Sequence, residues 1–205
     1  MTDMRIIAGD KRGMKLFSPK GGDTRPIIDR VKESLFSVLV KYNVPEGKVV
    51  ADLFCGVGSL GLEALSRGAS FVTFVEKDPR VVAVLEKNIE KAGFVRQSRV
   101  IAANAFKVGV PPARKGREYD VVFVDPPYAN TADVSSGSPL AGVLSLIGEQ
   151  VIARGLVVVR TRRSTELPGR YGALGVVERR EWGTMAVTIL ERQEDDRQTG
   201  GGENN

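Results

Sequence analysis

From Val49 onward, short apolar runs rich in β-branched residues take turns with stretches of helical period, and this alternation limits the fold more than any other feature of the chain. Strand-like runs fall at 49–54, 71–75, 100–103, 121–124 and 156–159. Helical stretches fall between them at 60–67, 79–92 and 140–153. Asp78-Pro79 supplies an N-cap followed by proline at the first helical position, and Gly93 supplies the stop. Parallel strands joined by helices must be covered on both faces. Two closing runs, 176–182 and 185–191 around Gly183, read as an antiparallel hairpin. The expectation is an α/β fold with a doubly wound, mostly parallel seven-stranded sheet.

Ahead of that pattern the chain is different. Arg5 to Ala8 and Met14 to Phe17 flank the turn residues Gly9 to Gly13, which reads as an irregular β-hairpin extension. A Gly- and Pro-rich loop follows at 18–26, then an amphipathic helix over 27–42. Residues 193–205 are polar and aperiodic and read as a disordered tail. The expected organisation is a basic hairpin extension over 1–26, one globular domain over 27–192 and the tail.

Composition removes whole classes of chemistry. The 205 residues include no histidine and one cysteine, Cys55. Hydrolases with a His base, imidazole metal sites, disulfide frameworks and CxxC redox pairs are excluded, and no metal is expected. Cys55 reads as a small buried hydrophobe. No run approaches the roughly 20 apolar residues that span a bilayer, and the first residues lack an apolar signal segment, so a cytoplasmic protein without a membrane partner is expected. The net charge of +5 is compatible with nucleic acid.

The first strand runs into Asp52-Leu53-Phe54-Cys55-Gly56-Val57-Gly58-Ser59-Leu60-Gly61, a G-x-G-x-x-G turn between a strand and a helix. Such a turn serves a dinucleotide pyrophosphate or S-adenosylmethionine. Asp52 at the strand end repels a pyrophosphate and attracts a cation, which favours S-adenosylmethionine. An Asp there also caps loop amides. Glu76 ends the second strand, where a carboxylate can accept both ribose hydroxyls of an adenosine or sit at the start of the next helix. Asn104-Ala105 follows the third strand at the same sheet edge, facing an adenine or a neighbouring loop.

Asp125-Pro126-Pro127-Tyr128 follows the buried run 121–124. Two consecutive prolines stiffen the backbone and remove N–H donors. The carboxylate and a proline carbonyl can then accept the two hydrogens of an exocyclic amine, turning its lone pair towards an incoming methyl group. Tyr128 can stack on the base. The plainer alternative is a rigid turn with a capping Asp.

Taken together, the glycine loop, Glu76 and Asp-Pro-Pro-Tyr resemble the class I, Rossmann-like S-adenosylmethionine-dependent amino-methyltransferases. RIIAGDKRG near the start, TRPIIDRVKESLF at 24–36 and LGLEALSRGAS at 60–70 further resemble the bacterial RsmD family, over residues 4–191. The resemblance implies transfer of a methyl group from S-adenosylmethionine to the N2 amine of a guanine in 16S rRNA, on the rRNA or the small ribosomal subunit particle; nothing in the sequence demands more than a monomer. It assigns Asp52, Phe54, Gly56, Gly58, Glu76, Asn104 and Ala105 to the cofactor, and Asp125, Pro126, Pro127 and Tyr128 to catalysis. The rivals are an N6-adenine methyltransferase, which shares Asp-Pro-Pro-Tyr, a nicotinamide-dependent oxidoreductase and a catalytically silent RNA-binding module.

Residues 1–32 hold eight lysines and arginines against four aspartates. A flexible basic hairpin there would serve as a phosphate clamp, with Arg5, Lys11, Arg12 and Arg25 as substrate contacts. A second basic cluster, Arg160, Arg162, Arg163 and Arg170, follows the last parallel strand. A solvated basic face is the alternative for both.

Overall fold

The computed structural model describes residues 4–19, 28–113 and 118–194. Arg25 and most of the expected tail, 195–205, lie outside them. The order of elements is α1 (Asp29–Val40), β1 (Val49–Leu53), α2 (Ser59–Ser66), β2 (Phe71–Glu76), α3 (Pro79–Ala92), β3 (Ser98–Ala102), α4 (Ala105–Val108), β4 (Tyr119–Val124), α5 (Pro139–Gln150), β5 (Val151–Arg162), β6 (Arg170–Tyr171), β7 (Leu174–Trp182) and β8 (Met185–Arg192).

One sheet runs β3-β2-β1-β4-β5-β8-β7-β6. Its first five strands in that order pair in parallel, and β8, β7 and β6 add antiparallel pairs. The sheet has eight strands where seven are expected, because the two-residue β6 closes on the start of β7. So short a strand carries no alternation to read. The chain leaves β1 towards β2 and β3, then returns to place β4 on the other side of β1. That reversal opens a crevice beyond the carboxyl ends of β1 and β4.

Alternation along the strands sorts side chains between two cores. Val50, Val72, Phe74, Val121, Phe123 and Val158 join α1, α2 and α3 on one face. Ala51, Leu53, Val75, Val122, Val124 and Val157 join α5 on the other. The third helix matches its sequence signals closely: the Asp78 side chain accepts from Arg80 N, and Gly93 takes the left-handed conformation at φ 76°. The largest departure is β5. Residues 151–153, expected to end a helix, begin the strand instead. Val151 is already extended at ψ 150°, and the strand bulges around Arg154 at φ 61°, where the register against β4 shifts between Tyr119 and Val121.

The N-terminal segment forms a single antiparallel bridge, Arg5 to Lys15, with Ile6 N donating to Met14 O at 2.9 Å and Gly13 N to Ile6 O at 2.8 Å. Ile6 and Leu16 are buried in the same core as α1, α2 and α3. Glu63 of α2 accepts from Ile7 N at 2.7 Å and Ala8 N at 3.1 Å. Lys32 of α1 donates to Arg5 O at 2.6 Å and Ser59 Oγ at 3.2 Å. Asn88 of α3 bonds both backbone groups of Phe17, and it also donates to Val57 O in the glycine loop. The hairpin is thus tied down by buried polar contacts along its length. Among the described residues no helix is long and apolar enough to cross a membrane.

Candidate active site

A cavity of about 550 Å³ sits in the crevice beyond β1 and β4. Asp52, Phe54, Gly56, Glu76, Asn104, Ala105, Asp125, Pro126, Pro127 and Tyr128 all line it. The volume suits a small organic ligand.

The carboxylates at the strand ends are held by backbone amides. Asp52 is 1% exposed, and its Oδ2 accepts from Gly61 N at 2.8 Å, which joins the strand end to the first turn of α2. Burial pushes its carboxyl up to about 8. The Gly61 amide works against that rise, and the charges of Asp125 and Glu76 add to it. Glu76 accepts from Gly56 N at 3.1 Å, Lys77 N at 2.7 Å and Asp78 N at 2.9 Å, so it fastens the glycine loop to the end of β2. Asn104 caps α4 by accepting from Phe106 N at 3.0 Å, and the Phe54 and Phe106 rings meet at 4.6 Å beside it.

The two glycines of the loop differ. Gly56 has φ 55° and lines the cavity. Gly58, at φ 88°, does not line it: a Cβ there would lie 2.5 Å from Leu85 Cδ1. Its lack of a side chain lets α2 pack against α3.

On the other wall, Asp125 N donates to Leu53 O at 3.3 Å, which carries the Asp-Pro-Pro-Tyr segment across the end of β1. Arg160 Nε donates to Asp125 Oδ1 at 2.6 Å. Burial raises the Asp125 carboxyl and the Arg160 guanidinium lowers it, with burial the larger effect. Pro127 O accepts from Asn130 N at 2.8 Å within the following turn. This leaves Pro126 as the proline whose carbonyl the turn does not engage. The Arg162 guanidinium lies over the Tyr128 ring, 4.9 Å from its centroid.

The basic clusters do not gather as the sequence suggests. Met4 lines the cavity, and Arg5 beside it pairs with Asp29 at 2.7 Å. From there the segment runs down α2, so Asp10 N reaches Ser66 O and Lys11 N reaches Ser66 Oγ at the far end of that helix. The hairpin tip, with Lys11 and Arg12, therefore lies at the amino edge of the sheet, opposite the cavity. The physical reason is the docking of residues 7 and 8 on Glu63, which fixes the segment antiparallel to the strands' carboxyl-edge opening. In the second cluster, Arg163 pairs with Glu181 at 2.6 Å and Arg170 Nε donates to Gly172 O at 2.8 Å. Arg160 and Arg162 instead enter the site. The sequence places all four in one basic cluster after the last parallel strand, with a solvated face as the alternative. The spacing of two between Arg160 and Arg162 along a strand was the signal that they share a side.

Residues 4–191 match the model of the family described as Conserved hypothetical protein 95. Ribosomal RNA small subunit methyltransferase D of Escherichia coli (strain K12) is 43% identical over 127 residues, 61% of this chain and 60% of that one. YlbH of Bacillus subtilis (strain 168) is 31% identical over 192 residues, 93% of this chain and 100% of the relative. Among solved structures, yhhF of Escherichia coli superposes with a TM-score of 0.76 at 32% identity, covering 93% of this chain and 98% of that one.

Proposed function

Because the chain belongs to the Conserved hypothetical protein 95 family of RsmD-type methyltransferases, we infer that it transfers a methyl group from S-adenosylmethionine to the exocyclic N2 amine of a guanine in 16S rRNA. The observation that carries this reading is the placing of Asp125-Pro126-Pro127-Tyr128 and the glycine loop on opposite walls of one cavity. One wall suits a cationic cofactor and the other an amine donor.

The residues present fit the cofactor. Asp52 is a buried carboxylate that burial pushes towards neutrality, and a cation beside it restores its charge. Glu76 stands at the end of β2, within the same cavity, for the ribose hydroxyls. Phe54 and Ala105 supply apolar surface, Gly56 gives close backbone approach, and Asn104 lies on the adenine side. Gly58 serves the cofactor indirectly, by setting the distance between α2 and α3. When bound, S-adenosylmethionine supplies a methyl group already activated on sulfur.

The other wall orients the amine. Asp125 and the Pro126 carbonyl each accept one N–H, which frees the nitrogen lone pair from the base. Tyr128 stacks on the base face. On receiving the methyl group that the cofactor would supply from its sulfonium, the nitrogen would shed one proton, for which Asp125 is the acceptor. The gain comes from orientation and placed charge. The guanine must be unstacked to enter. Arg5, at the cavity end of the hairpin, and Arg25 are assigned to RNA contact. Lys11 and Arg12 would reach only RNA that wraps to the opposite edge. The chain acts as a monomer in the cytoplasm, on 16S rRNA or the small ribosomal subunit particle, with residues 1–26 as its extension and 27–192 as the catalytic domain.

The test is methyl transfer from labelled S-adenosylmethionine to small subunits lacking their base methylations, followed by nucleoside analysis. N2-methylguanosine is the expected product. N6-methyladenosine would reject the base assignment, and the absence of any transfer would reject the substrate.

A further inference from the structure

The strand β5 outruns its neighbour. β4 ends at Val124, paired with Val159, whereas β5 continues through Arg160, Thr161 and Arg162. Those three residues pair only with β8, opposite Val187, Ala186 and Met185. They form a ledge over the carboxyl edge of the sheet. Alternation turns Thr161 into the interior, fully buried, and leaves Arg160 and Arg162 on the cavity side. The ledge therefore meets the segment that leaves β4, with Arg160 at Asp125 and Arg162 at Tyr128.

We propose that Arg160 is a positioning residue for methyl transfer: it fixes one carboxylate oxygen of Asp125 and leaves the other for the target amine. The inference rests on the function proposed above. A carboxylate can accept an N–H with either oxygen, but a free one rotates between them. A guanidinium bond of 2.6 Å, with Arg160 13% and Asp125 19% exposed, removes that freedom. It also settles the charge. A protonated Asp125 would present a hydrogen where the amine needs an acceptor, and burial favours that neutral form. The Arg160 guanidinium opposes it.

The other charged or titratable groups lining the cavity lie on four segments: Asp52 and Cys55 at the end of β1, Glu76 and Lys77 at the end of β2, Tyr128 beside Asp125, and Arg162 on β5. Asp52 and Glu76 are carboxyl groups, and negative charge on either disfavours ionised Asp125. Arg162 and Lys77 act in the opposite sense. Arg160 is the cation in bonding contact.

The experiment compares kcat across pH 6 to 8.5 for the wild type, R160Q and R160K, at saturating cofactor and small subunits. Cofactor affinity and thermal melts are measured alongside. In R160Q the acid limb moves to higher pH, so the ratio of kcat at pH 8.5 to that at pH 6 rises by about fivefold or more. R160K keeps a cation without the rigid fork and gives a smaller rise in the same direction. Cofactor affinity stays within about threefold in both, since the Arg160 charge is the smallest of the influences on the Asp52 carboxyl. A loss of equal factor at every pH, in whichever variant folds, would overturn the inference and leave Arg160 a structural residue. Failure of the functional reading looks different: the wild type itself would yield no N2-methylguanosine at any pH.

Discussion

Two largely buried ion pairs occupy opposite kinds of place in this molecule. Lys32 and Glu63, 1% and 0% exposed, lie 3.4 Å apart between α1 and α2. Arg160 and Asp125 lie 2.6 Å apart at the cavity wall. The first pair is saturated: Glu63 also accepts from two backbone amides and from Arg67 Nε, and Lys32 also donates to Arg5 O and Ser59 Oγ. Apart from the Arg67 contact, which lies within one turn of α2, each of these bonds ties one element to another. The second pair meets a cavity that can admit a ligand. The saturated pair docks the N-terminal segment, and the pair at the cavity is set to act on something that arrives. Burial depresses the Lys32 ammonium pKa, while Glu63 works to restore it, so that pair stands or falls together.

Breaking the saturated pair has the largest expected effect. Glu63→Ala strands a buried ammonium and leaves the Ile7 and Ala8 amides without their acceptor. A loss of about 3–5 kcal/mol is expected, read as a lower denaturant midpoint. A loss below about 1 kcal/mol would mean that the segment is held by its buried Ile6 and Leu16 alone. Breaking the other pair from its acidic side has the opposite signature. Asp125→Ala lowers kcat by about 10²–10³-fold, leaves cofactor affinity within a few-fold and lowers the melting temperature less than Glu63→Ala does, because the Arg160 it strands borders a cavity open to water. Equal loss of turnover and cofactor affinity would show that Asp125 does not face the amine.

The contrast between these pairs also marks where the sequence is legible. The elements are legible because their signals are local: β-branched runs, the Asp78-Pro79 start, the Gly93 stop, the spaced glycines. The Asp-Pro-Pro-Tyr segment and both strand-end carboxylates reach one cavity because the strand order brings the carboxyl ends of β1, β2 and β4 together. What is not legible depends on register and docking. Arg160 meets Asp125 only because Val124 pairs with Val159 and β5 runs on. Lys11 and Arg12 miss the cavity because Glu63 fixes the direction of the hairpin. Lys32 does stand on the apolar stripe of its helix, beside Val31 and within one turn of Leu35 and Phe36. Glu63 interrupts the apolar run of α2. Two opposite charges on two buried faces were a signal for a partnered pair, obscured by counting Lys32 among the basic residues of an RNA-binding arm.

Asp52 tests a third kind of buried charge, one whose cationic partner is the ligand itself. Its carboxyl is pushed up to about 8, well above its value in an unfolded chain. The folded protein without cofactor thus holds this proton more tightly than the unfolded chain. The Asp52 contribution to stability is full below about pH 4 and is lost as pH rises through about 8. Asp52→Asn keeps an acceptor for Gly61 N and abolishes that dependence, so it should raise the melting temperature of the cofactor-free protein at pH 8. The same change weakens cofactor binding by about ten- to hundredfold, since a charged acceptor is replaced by a neutral one. Calorimetry of the two proteins at pH 6 and 8 separates these effects: wild-type affinity rises towards pH 8 as Asp52 gives up its proton more readily, and the variant lacks that contribution. Unchanged affinity in the variant would place the cofactor's cationic groups elsewhere.

The smallest effect belongs to the second arginine of the ledge. Arg162 is exposed and covers the Tyr128 ring at 4.9 Å. A cation over an aromatic face at an exposed site contributes about 0.5–1 kcal/mol. Arg162→Ala should therefore raise KM for the small subunit by about two- to fivefold, with kcat and cofactor affinity little changed. Arg162→Lys should recover part of the loss, because an ammonium keeps the charge over the ring and loses the planar stack. A fall in kcat as large as that of Asp125→Ala would mean that the ring orientation set by Arg162 governs the transfer step itself. The two arginines of β5 would then act as one unit, and the double variant would lose no more activity than either single one.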